Sequence, residues 1–423
     1  MQVDTLRVLD RFVGVPLCGI CTLFRRLSRL LNREQSLPSP RKILIIKLSE
    51  MGSTVLAYPA LAELKKRCPE AQLFFLVFKN NATVLEVLDL IPAANIITVD
   101  YSSTGHLIKS GFAVLRRLWN EKFDTTIDMD FFSRLTAFIS FWAGRGNRVG
   151  FHRYNDEGLY RGDLLTHRVL YSTQVHTSAA FLALTRSLFE RPDDEPHYRR
   201  VIEPDLLVPP KYVPRSFDTE SVRQKLTTAG LNGQGKEIII LVNPNSSDIF
   251  PLRKWPIDNF ALLCERLLAA LPECRLVITG VASERKDAQR ILARVKNARC
   301  LDFTGKTSFR ELMALYSIAQ LMVTNDSGPA HFASLLELPT IVLFGPETPR
   351  LYSPIGGKHK DLYAELPCSP CVSVHNGKKS PCTDNRCLQT ITVEAVLSEV
   401  FSLLRADDRS PTRALYASEG TRS

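Results

Sequence analysis

The sequence contains no run of about 18 or more uncharged apolar residues, so no segment has the length that a membrane-spanning helix needs. Zinc-finger spacings, RNP-like aromatic motifs and basic zippers are also absent, which removes the common nucleic-acid-binding modules. HExxH, GxSxG and a complete GxGxxG fingerprint are missing as well. The TGKT run at 304–307 is not a P-loop, because Cys300 stands where the motif needs its first glycine.

Acidic residues are the smaller charged class: 44 Asp and Glu stand against 54 Lys and Arg, for a formal net charge of +10. Nucleic acid, an anionic membrane surface or a phosphorylated substrate would each match this excess. Since nucleic-acid modules are absent, we expect a membrane surface and a phosphorylated substrate, and no nucleic acid.

Ten cysteines in 423 residues do not indicate a disulfide scaffold, which is a feature of short secreted domains. Cysteines in apolar segments, such as Cys18, Cys21 and Cys264, are more typical of small buried hydrophobes. Together with the lack of a spanning segment, this predicts a cytoplasmic protein.

The N-terminal segment, residues 1–40, combines an apolar stretch from Phe12 with three arginines between positions 25 and 29. A signal peptide would place its positive charge before the apolar stretch. We expect Pro16 and Gly19 to break any long helix here. The pattern favours an amphipathic segment in the interface of the inner face of the cytoplasmic membrane, with packing against the protein itself as the alternative.

Strands and helices alternate twice along the chain. KILIIKL at 42–48 is a continuous apolar strand, as a buried parallel sheet requires, and strands at 72–78, 95–99 and 123–129 follow it. The alternation restarts with EIIILV at 237–242, after a proline-rich stretch at 204–214, and reaches TIVLF at 340–344. This predicts two doubly wound α/β domains, 41–213 and 214–405, followed by a polar, disordered tail at 406–423.

The turn NDSG at 325–328 follows an apolar strand and precedes a helix that is expected to begin near Pro329. Ser or Asp suits the cap of that helix, and Pro suits its first turn. Backbone N–H groups and the positive end of a helix dipole would then lie at the carboxyl edge of the sheet, where open α/β sheets bind ligands such as diphosphates. His331 can donate to a phosphate oxygen there. An ordinary capped helix with a packed histidine is the alternative.

The run that begins at Asn325, NDSGPAHFASLLELPTIVLFGPETP, resembles the donor-binding signature of glycosyltransferase family 9, which includes the ADP-heptose:lipopolysaccharide heptosyltransferases. VNPNSSDIFPLRKWPIDNF, from Val242, is similar to the family segment whose lysine reaches the donor phosphates. A solvated surface lysine is the alternative. A glutamate after TGVAS matches a position linked to the nucleoside. The resemblance implies these donor-binding residues: Asn245, Ser246, Lys254, Glu284, Asn325, Asp326, Ser327, Gly328 and His331.

A third family-like segment, KLSEMGSTVLAYPAL, begins at Lys47. The family pattern is a strand, Met-Gly-Asp and an apolar helix, and its Asp is thought to act as general base on the acceptor hydroxyl. This chain has Ser53 at that position, and a serine hydroxyl needs a partner to act as a base at neutral pH. Glu50 lies in the same loop and is our candidate base. The alternative is a solvated loop glutamate.

The segment DMDFFSR, at 128–134, resembles the family's Asp…Arg-Ser loop, which faces the cleft between the domains. The resemblance implies acceptor binding by Asp128 and Arg134, the arginine holding an anionic group with two hydrogen bonds. Asp128 could equally be a structural cap.

Four cysteines form the pattern C-x2-C-x10-C-x4-C in a polar loop: Cys368, Cys371, Cys382 and Cys387. Family 9 members often carry a cysteine-containing segment here. Four thiolates close in sequence can hold a structural zinc, but this spacing is not that of a standard zinc module. Thiols that brace the loop, paired or unpaired, are the favoured interpretation, and no obligatory metal is expected.

The resemblance extends roughly from Lys42 to Leu404. It implies the GT-B fold, with two Rossmann-like domains facing a central cleft, and inverting transfer of a sugar from a nucleotide-sugar donor. ADP-heptose would be the donor, and a lipopolysaccharide-core or other lipid-linked glycan the acceptor. The alternatives are a GT-B enzyme with another donor, an epimerase, and a catalytically impaired member acting as a binding or assembly protein, which Ser53 keeps open.

Overall fold

The computed structural model describes residues 10–30, 40–152, 159–191, 198–231, 237–246 and 250–406. The chain divides into two compact units, Met1–Val208 with Ser373–Lys378, and Pro209–Val372 with Lys379–Ser423. The division falls inside the proline-rich stretch at 204–214, whereas the assignment of Ser373–Lys378 to the first unit was not predicted. Residues 407–423 of the predicted tail, and 1–9 and 31–39 of the predicted N-terminal segment, lie outside the described residues.

The first unit is built on a parallel sheet of six strands in the order β3-β2-β1-β4-β5-β6. The strands are β1 Lys42–Ile46, β2 Gln72–Phe78, β3 Ile96–Val99, β4 Thr125–Asp128, β5 Asn147–His152 and β6 His167–Leu170. The helices are α1 Gly14–Leu30, α2 Met51–Leu56, α3 Tyr58–Arg67, α4 Thr83–Leu88, α5 Thr104–Glu121, α6 Arg134–Ala143 and α7 Thr177–Ser187.

The second unit repeats this topology with strands in the order β12-β11-β10-β7-β8-β9, again all parallel. The strands are β7 Ile238–Asn243, β8 Cys274–Ile278, β9 Cys300–Asp302, β10 Leu321–Asn325, β11 Thr340–Phe344 and β12 His359–Tyr363. The helices are α8 Ser216–Thr228, α9 Ile257–Ala270, α10 Arg285–Val295, α11 Phe309–Ile318, α12 Gly328–Ser334, α13 Pro349–Tyr352, α14 Arg386–Gln389 and α15 Val393–Ala406.

In each unit the strand order reverses beside the first strand, between β1 and β4 and between β7 and β10. Ligands of open α/β sheets bind outside the carboxyl ends of the strands at such a switch point. The predicted α/β class with two doubly wound halves is confirmed. Strands β5, β6 and β12 were not predicted, because charged and polar residues interrupt their apolar pattern, as in HKDLY of the edge strand β12.

The expectation that Pro16 and Gly19 would break the N-terminal helix was wrong, since both lie inside α1, Gly14–Leu30. Pro16 is in the first turn, where the missing N–H would have no helical partner. One internal glycine costs only about 1 kcal/mol relative to alanine. None of the described helices combines the length and apolar character needed to cross a lipid bilayer.

The core of the second unit fixes the start of α9. Trp255 is completely buried and packs edge-on against Phe260, with ring centroids 4.9 Å apart. Its indole Nε1 donates to the carbonyl of Ile391 at 2.9 Å. A buried aromatic ring with its one polar atom satisfied is a rigid anchor. It holds the segment just before it, Arg253–Lys254, at the carboxyl edge of the sheet.

Candidate active site

The residues predicted to bind the donor gather at the switch point of the second unit. Asn245 and Ser246 follow β7, Asn325 ends β10, and α12 begins three residues later. Because β7 and β10 are hydrogen-bonded parallel neighbours, their carboxyl ends meet at the same edge of the sheet. Residues about eighty positions apart in sequence therefore come together at the edge of the sheet where ligands bind in this class of fold.

The side chain of Asn325 links two backbone segments at this edge of the sheet. Its side-chain Nδ2 donates to the carbonyls of Pro244 at 2.9 Å and Asn245 at 3.3 Å, and its Oδ1 accepts from the N–H of Trp255 at 2.9 Å. All of these hydrogen bonds are made to the backbone of the protein itself. Asn325 is therefore a positioning residue that connects the loop after β7 to the start of α9.

Asn245 has the opposite environment. Its side chain is 2 % exposed, and neither its Oδ1 nor its Nδ2 has a hydrogen-bond partner among the described residues. A buried amide without partners costs about 1–3 kcal/mol, so such a group calls for an explanation. A ligand that accepts from Nδ2 and donates to Oδ1 would remove this cost.

Gly280, two residues after the end of β8, leaves room beside this amide. A Cβ at Gly280 would lie 2.7 Å from Asn245 Nδ2 and 2.7 Å from Glu284 Oε2. The Glu284 carboxylate also accepts from the N–H of Val281 at 2.8 Å, which caps the short turn before α10. The predicted residues Asn245 and Glu284 therefore approach each other across a glycine that any side chain would fill.

Arg253 is a site residue that the sequence reasoning missed. Its Nη1 lies 3.5 Å from Asp326 Oδ2 and 4.0 Å from Glu347 Oε2, and both carboxylates are buried. The neighbouring Lys254, predicted to reach phosphate, lies 3.4 Å from the Asp287 carboxylate on α10. The structure thus places two cations beside the switch point. The pair of adjacent basic residues before Trp255 was the only sequence signal for Arg253, and the family resemblance implied a role for the lysine alone.

The start of α12 has the expected residue at its cap, but without the usual capping hydrogen bond. Ser327 occupies the N-cap position, but its hydroxyl donates backwards to the carbonyl of Asn325 at 3.1 Å and makes no capping bond to the helix. Gly328 is the first residue of α12, and His331, the fourth, is 5 % exposed. The prediction of Ser or Asp at the cap is met in position by Ser327, but its hydroxyl is used by the backbone of the preceding turn.

In the first unit, the candidate base Glu50 is paired with a cation from the far end of the chain. Glu50 Oε1 accepts from Lys378 Nζ at 2.8 Å, and the two residues are separated by 328 positions. Both have left-handed backbones, with φ of 68° at Glu50 and 55° at Lys378. Such conformations are uncommon for residues with long side chains and concentrate at functional sites.

Ser53 stands at the family's Asp position, in the first turn of α2. Its hydroxyl donates to the carbonyl of Glu50 at 2.9 Å, and the side chain is buried. A hydroxyl committed to a backbone carbonyl does not take a proton from an acceptor. Within this loop the carboxylate is supplied by Glu50, whose side chain is 38 % exposed.

A buried ion pair joins the carboxyl ends of β1 and β4, and the sequence reasoning did not anticipate it. Lys47 Nζ lies 3.3 Å from Asp130 Oδ1 and also donates to the carbonyl of Ser49 at 2.9 Å. The second oxygen of Asp130 accepts from the N–H of Leu48 at 2.9 Å. Both side chains are nearly inaccessible, so the pair holds the Glu50 loop against the end of β4.

The two residues predicted to bind the acceptor are engaged inside the first unit. Asp128 is completely buried against the Arg161 guanidinium, and its Oδ1 accepts from the N–H of Asp130 at 3.1 Å. Burial raises the pKa of Asp128 to about 6; Arg161 opposes the rise and Asp130 adds to it. Arg134 Nε donates to the carbonyl of Tyr160 at 2.8 Å, and its Nη1 to Asp10 Oδ2 at 3.3 Å. Acceptor binding by these residues stays a prediction.

The four cysteines of the polar loop are free thiols that differ in exposure. Cys368 is exposed, Cys371 and Cys382 are half-buried, and Cys387 is buried. Burial raises the pKa of Cys387, and the three other sulfurs add to the rise. In the part of the chain that the structure describes, no group of three or more His, Cys, Asp or Glu side chains is arranged to hold a metal ion. Zinc at these cysteines stays the less favoured alternative to thiols that brace the loop.

Two parallel sheets of the same order, each with polar side chains at its switch point, define the GT-B class of fold. The sequence profile of glycosyltransferase family 9 (heptosyltransferase) matches residues 112–380. The chain belongs to this family.

Individual relatives are moderately similar. The chain is 27 % identical over 272 residues to lipooligosaccharide heptosyltransferase 2 of Haemophilus influenzae, a match covering 64 % of this chain and 73 % of the relative. It is 29 % identical over 159 residues to lipopolysaccharide heptosyltransferase 2 of Salmonella typhimurium, covering 36 % of this chain and only 43 % of that protein. The solved structure of Escherichia coli ADP-heptose lps heptosyltransferase II superposes with a TM-score of 0.64 at 20 % identity, covering 86 % of this chain and 98 % of that one.

Proposed function

We propose that this protein transfers heptose from ADP-heptose to a lipopolysaccharide-core or other lipid-linked glycan, with inversion at the anomeric carbon. The family description supports the reaction class, and the Escherichia coli structure of the same fold is named for ADP-heptose. The solved structure supports the fold alone at this identity, so the donor and acceptor rest on the family and on the site.

The observation that carries the proposal is the buried amide of Asn245 at the switch point of the second unit, which has no hydrogen-bond partner in the described part of the chain. A nucleotide sugar offers both acceptors and donors to such a group, and Gly280 leaves room beside it. Arg253 and Lys254 also lie at this edge, beside the carboxylates of Asp326, Glu347 and Asp287. These cations and His331 would stabilise the charge that develops on the leaving diphosphate.

On the acceptor side we assign the base to Glu50. The acceptor hydroxyl gives its proton to the Glu50 carboxylate while its oxygen bonds to the anomeric carbon. The bond from that carbon to the diphosphate oxygen breaks with its electron pair on ADP. The Lys378 ammonium, 2.8 Å from Glu50 Oε1, favours the ionised carboxylate, which is the form that a general base requires.

A lipid-linked acceptor also places the enzyme at a bilayer. We propose that it works as a peripheral protein on the inner face of the cytoplasmic membrane. The net charge of +10 and the apolar, arginine-containing N-terminal helix support this location.

The test is ADP release from ADP-heptose, with and without lipopolysaccharide inner-core acceptors, for wild type, Glu50→Gln and the surface control Glu70→Gln. We expect release that depends on the acceptor, collapses in Glu50→Gln and is unchanged in Glu70→Gln. Release unaffected by Glu50→Gln would keep the activity and reject this base. No release with any nucleotide sugar, but measurable ADP binding, would favour a non-catalytic family member.

A further inference from the structure

Three neighbouring helices of the first unit, α1, α5 and α6, expose an unusual number of large apolar side chains. Helix α6 lies between the other two, packed against α1 on one side and α5 on the other. We call the outward surface of these helices the three-helix face. Its exposed apolar residues are Ile20, Leu23, Phe24 and Leu27 on α1, Ile108, Phe112 and Trp119 on α5, and Leu135 and Trp142 on α6.

Helix α1 is apolar on two opposite sides. Its inner side packs through Cys18 and Cys21 against Ala137 of α6, and Gly14 approaches so closely that a Cβ there would lie 2.6 Å from Arg134 Cβ. The buried Arg25 pairs with Asp163 at 2.6 Å and locks this orientation.

The outer side of α1 carries Ile20, Leu23, Phe24 and Leu27 at spacings of three and four, which forms a continuous stripe on a helix. Phe24 is 62 % exposed. The two alternatives left open by the sequence are therefore compatible: one side of α1 packs on the protein, while the other remains available to a partner.

The aromatic side chains of α5 and α6 continue the surface. Trp119 and Trp142 are both exposed, and their ring centroids lie 5.0 Å apart. Phe112, about two helical turns before Trp119 on α5, is 73 % exposed. The Arg145 guanidinium lies 5.6 Å from the Trp119 ring. Tryptophan beside arginine is the combination found where a protein meets the headgroup region of a bilayer.

The charge of this surface selects the partner. Helices α1, α5 and α6 contain one acidic residue, Glu121, and it is paired with Lys42 at 2.8 Å. The exposed basic residues on the helices include Arg26, Arg29, Lys109 and Arg116. A second copy of the chain would present the same positive charge and be repelled. In a bilayer, by contrast, anionic headgroups would complement the arginines, and acyl chains would complement the apolar stripe.

We propose that the three-helix face docks on an anionic lipid bilayer and so brings the first unit to lipid-linked acceptors. This rests on the proposed function for the acceptor, but the docking itself does not depend on catalysis. Helix α1 and the aromatic side chains of α5 and α6 act together, so the site is larger than the N-terminal segment alone.

The experiment is flotation of the full-length protein with vesicles of phosphatidylcholine alone or mixed with phosphatidylglycerol. Two variants test the apolar contacts. One is the double substitution Leu23→Ser/Phe24→Ser, and the other is Phe112→Ser. A third, Arg26→Gln with Arg29→Gln, tests the charge. The control is Phe217→Ser, an equally exposed phenylalanine on α8 of the second unit. Thermal unfolding of each variant checks that the fold is retained.

We expect wild type and the Phe217→Ser control to float with the anionic vesicles, and the Leu23/Phe24 variant to lose about tenfold in bound fraction. The arginine variant should lose binding to anionic vesicles most strongly at low salt. Wild type that stays unbound, or a control that falls as far as the test variants, overturns the proposal. So does light scattering that shows a dimer disrupted by Leu23→Ser with Phe24→Ser, because the face would then be a protein interface.

A water-soluble, delipidated core oligosaccharide separates this proposal from the proposed function. Transfer to that acceptor should be unchanged in the three face variants, because their side chains lie outside the candidate active site. If wild type transfers no sugar to any acceptor, the proposed function fails, while flotation still decides the docking proposal. If the face variants lose transfer to the soluble acceptor as well, their effect lies in the fold and the docking proposal is rejected.

Discussion

The side chain of Asn325 donates to the backbone carbonyl of Asn245 at 3.3 Å, and so holds in place an asparagine whose own amide has no hydrogen-bond partner among the described residues. The two buried side chains thus have different tasks at one switch point. Asn325 makes its hydrogen bonds within the protein, whereas the Asn245 amide makes none among the described residues, as the proposed ligand contact requires.

Substitution by alanine should separate these tasks. Asn325→Ala removes three hydrogen bonds and leaves the buried N–H of Trp255 without its partner, so we expect the free energy of unfolding to fall by about 2–4 kcal/mol. Asn245→Ala removes none of these bonds and also removes the unpartnered buried amide, so the free energy of unfolding should stay level or rise by up to about 3 kcal/mol. It should weaken ADP binding about tenfold or more. Urea unfolding and calorimetric titration with ADP measure both quantities. Equal stability losses in the two variants would contradict the assignment.

Gly280→Ala tests the gap beside the same amide. The new Cβ would meet Asn245 Nδ2 and Glu284 Oε2, each at 2.7 Å. Both atoms are ends of side chains that can shift, so the fold should survive at a cost of about 1–3 kcal/mol while ADP affinity falls. Gly111→Ala is the matched control, since a Cβ there meets nothing within 4 Å and an alanine suits the interior of α5. ADP binding unchanged in Gly280→Ala would place the nucleotide elsewhere.

The Glu50–Lys378 pair predicts a pH-dependent rate. Glu50→Gln should lower kcat about 10²–10⁴-fold, the usual contribution of a general base, with ADP binding unchanged. Lys378→Met should lower kcat about tenfold and move the acid limb of the pH–rate profile to higher pH, because the carboxylate loses a cation that stabilises its charge. Lys378→Arg should restore both. If Lys378→Met changes only the stability and leaves the pH–rate profile unchanged, the role of Lys378 is purely structural.

Asp128 predicts a pH-dependent stability. Burial raises the pKa of Asp128 to about 6 in the folded chain, above its value of about 3.9 when unfolded. The folded state therefore binds more protons between these values. This contribution to stability is fully present below about pH 4 and is lost as the pH rises through about 6, by roughly 3 kcal/mol. Urea midpoints at pH 4.5 and 6.5 for wild type and Asp128→Asn measure it. The variant should show a smaller decline between the two values, whatever its absolute stability, and an identical decline would refute the prediction.

Part of the fold was predictable from local sequence because its signals are local. The strands β1 and β7 are unbroken apolar runs, and the turn after β10 carries the NDSG pattern before a helix. The strands with charged or polar residues escaped this reasoning, as did the helix α1, whose proline and glycine were given too much weight.

The residues of the candidate site also fall into those that the sequence predicted and those that it did not. The donor residues predicted from the resemblance collect at one switch point, because each follows a strand of the same parallel sheet. Arg253 was missed beside Lys254, since one-dimensional similarity does not show which of two adjacent cations turns toward Asp326. Lys378 carried no signal at all, as its partner lies 328 residues away.

The sequence by itself determined the α/β class, the two-fold repetition of strands and helices, and the chemistry at the ends of the strands. Apolar periodicity and turn residues act over a few positions, so they can be read directly. Only the tertiary structure decided the strand order, which sets the switch points, and only it decided which buried polar groups are satisfied. Which of Asn245 and Asn325 has an amide without a partner among the described residues, and which cation meets Glu50, depends on hydrogen-bond geometry between segments far apart in sequence.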